Sequence, residues 1–113
     1  MGRRGTAVAA ALLAVLCQPA AATPRSITIV NGTDVALGDV AARAANEQAW
    51  APLTPGLSAG ARTRITIDPD VCAYDIRGSA AGNVLAWRGV NLCETSSVTL
   101  NRRGDGVLWV DYD

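Results

Sequence analysis

Two cysteines, a pair of aspartates and one loop tryptophan carry most of what this chain could do chemically. Cys72 and Cys93 are the cysteines that remain if the N-terminal segment is removed, as argued below. An even pair in an exported chain reads as a disulfide. Asp68 and Asp70 flank Pro69, and Asp75 follows closely. Hard cations such as Ca²⁺ are held by closely spaced loop oxygens, six to eight of them. Only two carboxylates share this loop, so Asp68 and Asp70 are weak metal candidates and a turn between strands explains them better. Trp50 stands before a segment rich in Pro and Gly. It is a weak candidate for a binding platform; a Trp folded over one end of a small core is the favoured reading. Trp87 is expected in the core, and Trp109 is less defined.

Catalysis is not expected. The chain has no His and no Lys, which excludes histidine general bases, His-ligated metals and lysine Schiff bases. A Glu47–Glu94 or an Asp70–Asp75 pair could do acid/base work. Nothing in the sequence places either pair at a cleft, and no catalytic residue is assigned. No cofactor is implied. Arg103-Gly104-Asp105 could mimic an adhesion tripeptide, but Asp105-Gly106 is well explained as a hairpin turn. Asn31-Gly32-Thr33 matches a glycosylation acceptor and is read as a turn.

Residues 1–22 have the three parts of a secretory signal. Arg3 and Arg4 are the positive start, residues 6–16 the apolar stretch, and Ala20-Ala21-Ala22 the cleavage site. General secretion is favoured over the twin-arginine route because Thr6 stands where an apolar residue belongs. Cys17 follows Leu16 rather than a small residue, which argues against a lipoprotein anchor. The expected mature chain is residues 23–113, one domain, periplasmic or secreted, with no transmembrane span. Eight Arg then face ten acidic residues, a net charge of −2. That weak, interspersed charge argues against nucleic-acid partners.

The elements read as strands. Residues 26–30 and 62–67 are alternating β runs. Residues 35–41 are ambiguous: 39–49 looks helical by propensity, with Asp39 as a possible N-cap. Its apolar positions are mostly Ala, however, and the favoured reading is a strand at 35–41 followed by a short helical turn around 45–50. Residues 51–60 hold Pro52, Pro55, Gly56 and Gly60 and are read as loop. Gly82-Asn83 is a two-residue hairpin signal. A turn there pairs Ala81 with Val84 and brings Cys72 opposite Cys93, at a position without backbone hydrogen bonds. Such pairs have Cα atoms about 4.5 Å apart, within disulfide reach. This register puts Tyr74, Ile76, Gly78 and Ala80 on the core face with Leu85 and Trp87. It leaves Val90 and Leu92 on the wetter face, and sets Arg77 awkwardly against Arg88. Residues 97–101 and 107–112 make a last hairpin around 102–106. About seven short strands with evenly spaced turns predict a small antiparallel β-sandwich with one disulfide.

The chain also resembles a family of small exported bacterial proteins, some labelled Tat-pathway signal proteins. The resemblance rests on Val30 to Asp34, Trp50, Leu53, Gly56, Leu57 and Gly60, then C-x-Y-D-I-R from Cys72 to Arg77, then W-x-G-V-x-L-C-E from Trp87 to Glu94. It implies export and the disulfide. The family has no assigned activity, so no functional residue carries over. Together these features describe a non-catalytic binding or accessory module of the bacterial envelope, its partner protein or ligand unknown. The alternatives are a calcium-stabilised domain using Asp68 and Asp70, and a small protease inhibitor presenting residues 51–60.

Overall fold

The structure, a computed structural model, describes residues 23–113; residues 1–22, on which the signal-peptide reading and Cys17 fall, lie outside the described residues. Eight strands follow one another. They are β1 (Arg25–Asn31), β2 (Leu37–Ala44), β3 (Ala51–Leu57), β4 (Arg62–Ile67), β5 (Ala73–Ala80), β6 (Asn83–Asn91), β7 (Ser97–Arg102) and β8 (Leu108–Tyr112). They form two four-stranded sheets, ordered β4-β1-β7-β8 and β3-β2-β5-β6. All strand pairs are antiparallel except β1 with β7. The chain is an all-β sandwich, as its alternating runs require.

Alternation explains the packing. Ile27 and Ile29 on β1, Val98 and Leu100 on β7, and Ile76 on β5 are fully buried between the sheets. Each fully buried side chain of this size contributes about 1.5–3 kcal/mol. Two polar anchors join the layers. The Trp87 indole Nε1–H on β6 donates to the Asn101 carbonyl on β7 at 2.9 Å. The Asn31 amide at the end of β1 donates to the Leu57 carbonyl on β3 at 2.9 Å.

The structure differs from the sequence expectation in four places. Residues 51–57 are strand β3, not loop. Proline is tolerated there because β3 is an edge strand, paired only with β2, and needs half of its backbone groups. This is the eighth strand. The helical turn expected at 45–50 is a single turn closed by Glu47 N–H to the Ala44 carbonyl. Its alanines offer too little apolar area to hold a helix. β2 begins later than expected and carries an irregularity around Asp39, whose φ is +46°.

The fourth difference is the register of the β5–β6 hairpin. The turn is Ala81-Gly82, not Gly82-Asn83, and Ala80 pairs with Asn83. Both turn residues have positive φ, +51° and +83°, as a type I′ turn demands. A bulge then inserts one residue at Arg88-Gly89, opposite Asp75. Gly89 has φ +65°, the left-handed conformation that glycine adopts without strain. Beyond the bulge the faces of β6 exchange. Val90 and Leu92, expected on the wetter face, are therefore buried. Arg77 pairs with Ala86 rather than with Arg88.

Cys72 and Cys93 are nevertheless joined, with Cα atoms 4.9 Å apart. They lie beyond the last ladder pair, Ala73 with Asn91, where Leu92 N–H donates to the Cys72 carbonyl. The cysteine pairing holds although the expected register does not: the shifted turn displaces the ladder by two residues and the bulge returns one, so Cys72 faces Leu92 and its sulfur bonds to the next residue, Cys93. The bridge closes a loop with a sequence separation of 21, worth about 3 kcal/mol in the chain-entropy model. The Cys72→Ser/Cys93→Ser double variant is expected to lose about that much in urea unfolding. A midpoint unchanged from wild type would show that the staple contributes nothing to stability.

Candidate functional site

The outer face of the β3-β2-β5-β6 sheet carries the densest polar and aromatic arrangement. On β5, Asp75 and Arg77 are two apart and so share this face. On β2, Arg43 pairs with Asp75 and Ala41 pairs with Arg77. Trp50, half-buried, comes in from the β2–β3 connection. The guanidinium carbons of Arg43 and Arg77 lie 4.4 and 4.3 Å from its ring centroid. Such contacts add about 0.5–1 kcal/mol each at exposed sites.

The two arginines differ in what their N–H groups do. Arg43 Nε donates to Asp75 Oδ2 at 3.1 Å, and its Nη1 reaches the Gln48 carbonyl at 3.5 Å. Among the described residues, no acceptor takes a hydrogen bond from the Arg77 guanidinium. Arg77 lines a cleft of about 390 Å³ together with Asp39, Trp50, Pro52, Thr54 and Pro55.

Asp75 holds the face together. Its side chain is 7% exposed, and its Oδ1 accepts the Gly89 N–H of the bulge at 3.0 Å. That backbone donor holds the carboxyl below the usual Asp range; burial opposes the shift, and Arg43 adds to it. A folded pKa below the unfolded one means that the carboxylate stabilises the fold above the unfolded pKa. This stabilisation is lost as pH falls through the folded value. Wild type is therefore expected to lose more stability than Asp75→Asn between about pH 5 and pH 2. Denaturant unfolding across that range checks it, and parallel losses in both proteins would contradict the assignment.

The other residues singled out in the sequence lie elsewhere. Asp68 and Asp70 occupy the β4–β5 turn, where Asp68 Oδ1 accepts the Asp70 N–H at 2.9 Å. One of the two candidate ligand carboxylates thus caps its own loop, while Asp75 is engaged on the sheet. Among the described residues, no three His, Cys, Asp or Glu side chains gather closely enough to hold a metal ion. Glu47 and Glu94 are exposed, after β2 and after β6. Residues 103–106 form the β7–β8 turn, closed by Arg103 N–H to the Val107 carbonyl. Asn31 is buried with its amide fully engaged, so the glycosylation match has no accessible acceptor.

Trp87 is buried as expected, and Trp109 is 43% exposed on β8. Trp50 corrects the expectation of a core residue. Its ring covers the outside of the sheet, and the arginines already occupy its π surface. Arg43, Arg77 and Asp39 were missed. The D-x-R spacing of Asp75 and Arg77 on one strand face was the available signal. Nothing local tied Arg43 or Trp50 to them.

No helix among the described residues is long and apolar enough to cross a membrane. No family model and no curated protein matches the chain. Among solved structures it is similar to an NMR structure of a protein from Eubacterium rectale, with a TM-score of 0.61 and 14% identity. The match covers 79% of this chain and 87% of that one. At this identity the likeness concerns the fold alone.

Proposed function

We propose that this chain is a small exported, non-catalytic binding or accessory module of the bacterial cell envelope, akin to the exported family that its C-x-Y-D-I-R and W-x-G-V-x-L-C-E stretches resemble. The observation that supports it is the cleft beside Trp50, whose Arg77 packs on the indole with no described residue accepting from its N–H donors. Pre-positioned polar groups beside apolar walls are what a recognition site requires. The small disulfide-stapled sandwich suits an oxidising compartment.

As a protease inhibitor, the chain would need residues 51–60 as a free loop, and most of that segment is paired with β2. The cleft gives the binding reading its own surface. Affinity capture with crosslinking from the envelope fraction tests it, with the exported protein and its Trp50→Ala variant as bait. A reproducible partner held by wild type and lost by a variant with unchanged circular dichroism is the expected result. Equal capture by both proteins would overturn the cleft as the docking surface, and none above background would overturn a protein partner. Mass spectrometry of the same exported protein is expected to place its first residue at Thr23.

A further inference from the structure

We infer that the cleft at Trp50 is a binding site for a hydroxylated carboxylate, the chemistry of a sugar acid. Arg77 would take the carboxylate and Asp39 the hydroxyls. This rests on the reading of the chain as a binding module and names the ligand class of its site.

Arg77 carries the first part. A guanidinium stacked on an indole keeps its five N–H donors in a plane that the ring does not block. The Arg77 guanidinium carbon lies 4.3 Å from the Trp50 ring centroid, a contact that restrains the side chain before a ligand arrives. A planar carboxylate matches this fork with two parallel hydrogen bonds. The contrast with Arg43 is informative. It stacks on the same ring, yet its Nε is committed to Asp75. One arginine of the pair is structural and the other is left with donors to offer.

Asp39 carries the second part. It is exposed at the lip of the same cleft, in a left-handed backbone conformation with φ +46°. A non-glycine residue held there costs energy and is concentrated at functional sites. The irregularity of β2 at this point re-aims the side chain, as bulges beside binding sites do. A carboxylate acceptor repels a bare anion but accepts hydroxyl donors. Arg77 and Asp39 together therefore favour a ligand carrying both an acid and hydroxyls. Pro52 and Pro55 add apolar walls against which the C–H faces of such a ligand can rest.

The test is a nuclear magnetic resonance titration of the exported protein, following the Arg77 Nε–H and Trp50 Nε1–H signals. The probes are sodium glucuronate, sodium acetate and inorganic phosphate. Glucuronate is expected to produce saturable shifts, with acetate and phosphate at least about tenfold weaker, a difference of about 1.4 kcal/mol. Arg77→Gln should abolish saturation, and Asp39→Asn should weaken glucuronate while leaving acetate unchanged. Both variants must keep the wild-type amide spectrum away from the cleft. No saturation with glucuronate, an undiminished response in Arg77→Gln, or acetate or phosphate binding as tightly would overturn the inference. Saturable glucuronate binding without a captured protein would support the ligand site and overturn only a protein partner at this cleft. A captured partner without glucuronate binding would overturn this inference and leave the binding module intact.

Discussion

Replacing Asn31 by Asp is expected to destabilise the protein by about 4 kcal/mol, although the two side chains have nearly the same shape. Asn31 is completely buried. Its Nδ2 donates to the Val35 and Leu57 carbonyls at 2.8 and 2.9 Å. Its Oδ1 accepts from the Thr33 N–H at 3.0 Å and the Thr33 hydroxyl at 2.6 Å. One side chain thus closes the β1–β2 turn and ties it to β3 in the opposite sheet. An ionised Asp keeps the acceptor but turns its second oxygen toward two carbonyl oxygens. Each buried group left without its partner costs about 1–3 kcal/mol, and more where a charge is involved. For a domain of this size, with total stability of about 5–14 kcal/mol, that is a large fraction. Urea unfolding at neutral pH checks it, and a loss below about 1 kcal/mol would show that the turn finds other partners. The same geometry predicts that the Asn31-Gly32 sequence deamidates slowly in the folded protein and quickly in the unfolded chain. Peptide mapping after incubation under the two conditions reads the difference.

Trp87→Ala is expected to cost a comparable amount, about 3–5 kcal/mol. The indole is 2% exposed and sits in the core formed by both sheets. Its loss removes the largest side chain there and leaves a cavity that the paired strands cannot collapse to fill. It also removes the donor to the Asn101 carbonyl, the polar link between β6 and β7. Trp87→Phe separates the two effects. It retains much of the volume but not the N–H, and is expected to cost about half as much. Thermal unfolding of the two variants beside wild type gives both values. Equal losses would mean that packing of the six-membered ring contributes little and the hydrogen bond dominates.

Neither Asn31 nor Trp87 stood out equally in the sequence. Trp87 was assigned to the core from the alternation of a strand following a hairpin signal. That alternation is local and survives any turn position that preserves parity near the turn. The observed turn shifts one residue on each strand, so Ile76, Gly78, Ala80 and Trp87 keep their face. Asn31 read only as a turn residue. Its importance comes from Leu57, twenty-six positions away, on a strand that its prolines disguised as loop.

The same division holds across the molecule. Alternating β runs at 26–30, 62–67 and 97–101 determined strands β1, β4 and β7, because period two is a property of the chain itself. Two cysteines flanking one hairpin determined the disulfide, because strand ends joined by a short turn cannot be far apart. Tertiary structure decided the rest. The Gly89 bulge exposes its amide to Asp75, and only their meeting across the ladder puts Val90 and Leu92 inside. β3 is a strand because β2 offers it an edge, which its composition could not announce. Trp50 left the core for the sheet's outer face because Arg43 and Arg77, thirty-four positions apart in sequence, arrive side by side on β2 and β5. Local periodicity is written in neighbouring residues, whereas bulges, edges and the arginine-stacked tryptophan depend on which distant backbone lies alongside.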